Sequence, residues 1–196
     1  MRIAVLGWGS LVWDQGTLIT KTSFVAGGPR LPIEFSRISK DGRLTLVIDE
    51  RDGIPCSSRY AESAETTLEF AIKNLRIREG TNEAGVGHAI ASDKHISVSA
   101  MERHPTAATA ILEWVLDTDF DAVVWTALDS NFSQRTGMSS GFSIEAADKY
   151  IRSLKSAQFD NASNYIRKAP TEIQTPLRSH FDTNWPQRLK AERIKQ

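Results

Sequence analysis

Ile3-Ala4-Val5-Leu6-Gly7-Trp8-Gly9-Ser10-Leu11-Val12-Trp13 is the stretch on which the reading of the fold turns. Ile3 to Leu6 is an unbroken apolar run, as in a short buried strand, and it leads directly into a glycine-punctuated turn. Gly7 and Gly9 open like a dinucleotide fingerprint, but Val12 stands where the third glycine belongs, and Trp13-Asp14-Gln15-Gly16 does not continue as a helix. A Rossmann site is therefore rejected. The P-loop is rejected too, because the chain has no Gly-Lys-Ser/Thr, and Ser10 lacks the second glycine of a nucleophile elbow. What remains is a turn at the end of a strand whose successive backbone N–H groups form a concavity for a carboxylate or a developing oxyanion. A tight turn with a capping serine fits the same residues.

Outward from this turn, Leu31 to Ser36 and Leu44 to Ile48 flank the turn Lys40-Asp41-Gly42 and read as a hairpin. Cys56 to Ala61 reads as a weaker strand. Thr66 and Glu69 have capping-box spacing at the head of a helix that stops before Gly80, a natural left-handed cap. The chain is then loose through Gly85-Val86-Gly87. A helix from about Thr106 to Leu116 leads to a strand from Ala122 to Leu128. Helices follow over Ile144 to Leu154, Asn161 to Lys168 and Thr171 to about His180. Strands first and helices concentrated at the end predict an α+β domain and disfavour a doubly wound sheet.

The 196 residues suit one domain, expected over residues 1–185, followed by a basic tail over 186–196. Twenty-four Lys+Arg balance twenty-four Asp+Glu, which removes the general electrostatic case for a nucleic-acid or anionic-membrane partner. The single cysteine allows no internal disulfide, and no Cys/His spacing suits a structural zinc site. No stretch approaches the ~18 apolar residues of a membrane span. The expectation is a cytoplasmic protein without metal or cofactor.

Glu79 is the second signal. At 100° per residue it falls about 20° from Leu68 on the wheel of the first helix, between Ile72 and Leu75. A helix that persists to Glu79 puts a carboxylate on the core-facing stripe at its last turn. Burial and the negative end of the helix dipole both disfavour the anion there and raise its pKa, which makes Glu79 a candidate general base or acid working near neutral pH. The alternative is that the helix unwinds early and Glu79 turns to solvent or pairs with Arg76.

With both signals on the chain, Leu6-Gly7-Trp8-Gly9-Ser10-Leu11-Val12-Trp13 resembles the Tyr-Gly-Ser loop after the first strand of γ-glutamylcyclotransferase-like proteins. Arg78-Glu79-Gly80 resembles that family's helix-terminal Glu-Gly pair, whose glutamate is the catalytic base. The resemblance covers roughly residues 2 to 80. It implies a small mixed β-barrel or strongly curved sheet with surrounding helices. It further implies a cyclotransferase that converts a small γ-glutamyl amide or peptide to 5-oxoproline and a free amine, without a cofactor. On this reading Glu79 is the base, and Gly7, Trp8, Gly9, Ser10 and Leu11 hold the substrate. Trp8 departs from the family tyrosine, and Thr81-Asn82-Glu83-Ala84 has no aromatic hydroxyl where the family often has one after the glutamate.

Arg37 and Arg59, in or beside predicted strands, are candidate clamps for the substrate α-carboxylate. Glu34 is a reserve base, Asn131 a candidate amide contact at the rim, and Cys56 with His88 or His104 a minor nucleophile candidate. Two other functions stay open: a non-catalytic small-ligand or protein-binding module, and amide-bond chemistry with water or another amine as nucleophile.

Overall fold

The structure, a computed structural model, describes residues 1–139 and 141–185. The expected basic tail, 186–196, lies outside the described residues. Seven strands form one sheet: β1 (Ile3–Gly7), β2 (Val25–Ile38), β3 (Leu44–Ile48), β4 (Ile54–Glu62), β5 (Val86–Ile90), β6 (His95–Ile96) and β7 (Ala122–Thr126). Their order is β3-β2-β4-β1-β7-β5-β6. β1 lies parallel to β7, and the other pairs are antiparallel. The sheet is open, with β3 and β6 at its edges, so the barrel form of the expectation is not met. The chain is mixed α+β, as predicted.

β1 is central, and its side chains alternate between two cores. Ile3 and Val5 join Val86, Ala122, Val124, Ala71 and Leu75 on one face. Ala4 and Leu6 join Leu31, Ile33, Phe35, Val123, Trp125 and Ile111 on the other. A strand buried on both faces has no polar position to spare, which is why its sequence is a continuous apolar run.

Helix α1 (Leu68–Glu79) covers the first face, packing on β7 and β5. Thr67 caps it by accepting from the Phe70 N–H, one residue later than the spacing of Thr66 and Glu69 suggests. The second face is covered by α3 (Pro105–Leu116), α6 (Ser156–Lys168) and α7 (Pro176–Asn184), which pack on β2 and β3. The short α2 (Val98–Arg103) precedes α3, α4 (Phe132–Thr136) abuts β2, and α5 (Ile144–Ser153) packs on α6 and α7.

The segment read as loose after Gly80 contains β5, one of the paired strands. Its glycine is required: a Cβ at Gly87 would lie 2.4 Å from the Trp125 ring, the cross-strand neighbour. Among the described residues no helix is long and apolar enough to cross a membrane.

Candidate active site

β1 delivers Gly7 to the top of the sheet, and the chain turns at once. Ser10–Val12 form one 3₁₀ turn, in which the Val12 N–H donates to the Gly9 carbonyl (3.0 Å) and the Asp14 N–H to the Ser10 carbonyl (2.7 Å). Gly7 has no room for a side chain, since a Cβ would sit 2.8 Å from Phe24. The loop is thereby pinned against the core below it.

α1 runs to Glu79 and stops at Gly80, whose φ of 59° and ψ of 37° are left-handed. The Thr81 N–H reaches back to the Arg76 carbonyl (3.2 Å), as in a glycine-closed helix end. Glu79 therefore holds the core-facing position expected from the helical phase, and its side chain is only 18% exposed. Burial raises its carboxyl above the ordinary glutamate value, and the neighbouring Arg78 guanidinium opposes that rise. Glu79 neither swings into solvent nor pairs with Arg76. Its partner is Arg78, Nη1 to Oε1 at 3.2 Å.

Arg78 also joins the two site segments. Its Nη2 donates to Ser10 Oγ (3.1 Å) and to the Asp14 carbonyl (2.7 Å), and its Nε donates to the Gln15 carbonyl (3.1 Å). One guanidinium thus fixes the end of α1 to the glycine loop. Gly7, Trp8, Gly9, Ser10, Leu11 and Glu79 line a common recess of about 40 Å³, together with Leu46, Thr126 and Tyr165.

The recess adjoins a cleft of about 480 Å³ that Ser10, Glu79, Leu46, Thr126 and Tyr165 also line. Arg37, Lys40, Arg43, Arg78 and Arg135 face this cleft against the acids Asp41 and Glu79. Arg43 is paired with Asp41 (2.9 Å) and Arg78 with Glu79, leaving Arg37, Lys40 and Arg135 without a carboxylate partner among the described residues. The cleft is cationic although the chain as a whole is neutral.

Arg37 stands on the cleft wall as a carboxylate clamp would need, with Nη1 on the Asp129 carbonyl at 2.5 Å. Arg59 does not. It is opposite Gly7 in the β1–β4 register, but its Nε is bound to Glu172 at 2.6 Å, so its charge is spent outside the cleft.

Asn131 reaches the rim, yet both ends of its amide are used on the backbone of Ile38, accepting from the N–H (2.7 Å) and donating to the carbonyl (3.0 Å). Glu34 is fully buried rather than lining the cleft. Its carboxylate accepts from the N–H groups of Phe35 (2.7 Å) and Leu177 (3.3 Å), which anchors the first turn of α7 to β2. Cys56 is buried, burial pushes its thiol pKa up, and no hydrogen bond links it to His88 or His104 among the described residues.

Arg78 and Tyr165 are the site residues that sequence reasoning missed. Arg78 is adjacent to Glu79 but about 80° from Leu68 on the wheel, just beyond the edge of the apolar stripe, where a basic side chain reads as an ordinary last-turn residue. Tyr165 follows the helical spacing of Ala162 and Ile166, and its pattern is that of a core tyrosine. Comparison of the chain with protein-family models, curated proteins and solved structures finds no match.

Proposed function

We propose that the chain is a cyclotransferase of the γ-glutamylcyclotransferase type, acting on a small γ-glutamyl amide or peptide. The observation that supports this most is Glu79: a half-buried carboxylate of raised pKa at the end of a helix, tied through Arg78 to the glycine loop across a recess. A carboxyl whose anion is disfavoured is a stronger proton acceptor than an ordinary glutamate and can return the proton in the same turnover.

The reaction uses the substrate's own α-amine as nucleophile. Its nitrogen attacks the γ-carbonyl carbon and closes a five-membered ring, while Glu79 takes the proton the nitrogen loses. The oxyanion then collapses, the bond from the γ-carbon to the leaving nitrogen breaks, and Glu79 returns the proton to that nitrogen. The products are 5-oxoproline and a free amine, amino acid or peptide. Atoms and charge balance without metal or redox chemistry. Because the ring closure is intramolecular, orientation supplies much of the rate, with effective molarities of ~10⁵ M or more for aligned groups. The cationic cleft suits the substrate carboxylate, with Arg37 as its nearest candidate clamp.

Incubation with γ-glutamyl dipeptides, γ-glutamylamines and glutathione tests the proposal, with products identified by mass spectrometry. The expected product is 5-oxoproline. Release of glutamate instead means that water is the nucleophile and overturns the cyclisation, and a ligand that binds without being consumed makes the protein a binding module.

A further inference from the structure

Tyr165 lies in α6, far along the chain from both site segments, yet its hydroxyl is at their centre. A Cβ placed on Gly9 would come within 2.7 Å of its oxygen, so the phenol rests against the bare backbone of the loop. The oxygen lies beside the backbone of Leu46 and Ser10, and Glu79 is close enough to be felt as a charge.

The ring is held on several sides. Trp13 meets it edge-on at 5.3 Å, Phe35 at 6.2 Å, and the Arg43 guanidinium lies over it at 5.4 Å. Tyr165 is 7% exposed, and among the described residues no acceptor is found for its own proton. Burial pushes its pKa up to about 12, so at neutral pH it keeps that proton. The residue lines both the recess and the cleft, so the hydroxyl is placed to give that proton to an acceptor oxygen that enters there.

We infer that Tyr165 is a substrate-contacting hydroxyl donor, giving its hydrogen bond to the carbonyl or carboxylate oxygen that enters the recess between Glu79 and the glycine loop. In the cyclisation this oxygen is that of the γ-carbonyl, which becomes anionic as the ring closes; this part rests on the function proposed above. The aromatic residue of the loop itself, Trp8, brings no hydroxyl. Here α6 supplies one.

The assignment also accounts for Gly9, whose missing side chain leaves room for the approach of the phenol.

The test combines Tyr165→Phe, which removes the oxygen and keeps the ring, with 3-fluorotyrosine labelling of the three tyrosines, Tyr60, Tyr150 and Tyr165. Tyr60→Phe and Tyr150→Phe assign the fluorine signals even if Tyr165→Phe folds poorly. Addition of L-5-oxoproline is expected to move the Tyr165 signal. Tyr165→Phe is expected to lower kcat on the order of 10²-fold with little change in KM.

An unmoved signal, with Tyr165→Phe making 5-oxoproline at the parent rate, overturns the Tyr165 assignment and leaves the cyclisation standing. A moved signal in a parent protein that makes no 5-oxoproline from any γ-glutamyl compound does the reverse. A parent protein that neither binds L-5-oxoproline nor makes it overturns both.

Discussion

Glu79 is held where ionisation is penalised, and that has a measurable cost. Its folded pKa is above the ordinary glutamate value, so between the two values the native chain holds a proton that the unfolded chain has released. Stability due to this group therefore declines as pH rises through that window and is constant above it. Glu79→Gln is expected to melt higher than the parent at neutral pH, with the gap closing below about pH 4. Coincident melting curves at both pH values would show that the carboxyl is not strained by burial. The same shift sets the acid limb of kcat/KM, which should fall as pH drops through a value above the ordinary carboxylate range. A limb in the normal glutamate range would point to another base. At Gly9, substitution by Ala is expected to push the Tyr165 hydroxyl aside and depress turnover. Activity assays on the variant check this.

Among the elements, the end of α1 and the glycine loop form one unit because Arg78 bonds to both. Arg78→Met is expected to cost about 1–3 kcal/mol in denaturant unfolding and to lower kcat, since Ser10 Oγ and the Asp14 and Gln15 carbonyls lose their donor. Arg78→Lys should not restore it, because one ammonium cannot span a fork of three acceptors and a carboxylate. Retention of full activity in either variant would make the link incidental. The helix itself was legible in the residues: Leu68, Ile72 and Leu75 fix its face, Gly80 fixes its end, and together they locate Glu79. β1 and the β2–β3 pairing were legible for the same reason, since burial imposes a pattern. β5 was not, because Gly85-Val86-Gly87 reads as a loop until the Trp125 ring that demands Gly87 is known. Nor was the approach of α6, because a helical pattern shows which face is buried but not what it is buried against. Thus Glu79 and the loop can be read locally, whereas Tyr165 needs the fold.

At the scale of the whole molecule, a net charge of zero offers no long-range attraction to an anionic substrate. The cleft compensates locally, through cations gathered from the end of β2, the β2–β3 turn and α4. Arg37→Gln is expected to raise KM for a γ-glutamyl dipeptide roughly tenfold, with a smaller effect on kcat, as when one charge-assisted pair is lost. Steady-state kinetics at two salt concentrations decide this, and an unchanged KM removes Arg37 from the binding surface. The open sheet gathers these parts by placing β1 and β7 side by side, so that the loop after β1, Thr126 at the end of β7 and the end of α1 meet at one rim. The most direct measurement is 5-oxoproline formation from a γ-glutamyl dipeptide by the parent chain and by Glu79→Gln, side by side. The account predicts one equivalent of 5-oxoproline per amine released by the parent, and a loss on the order of 10²- to 10⁴-fold in the variant. Equal rates in the two proteins would contradict it.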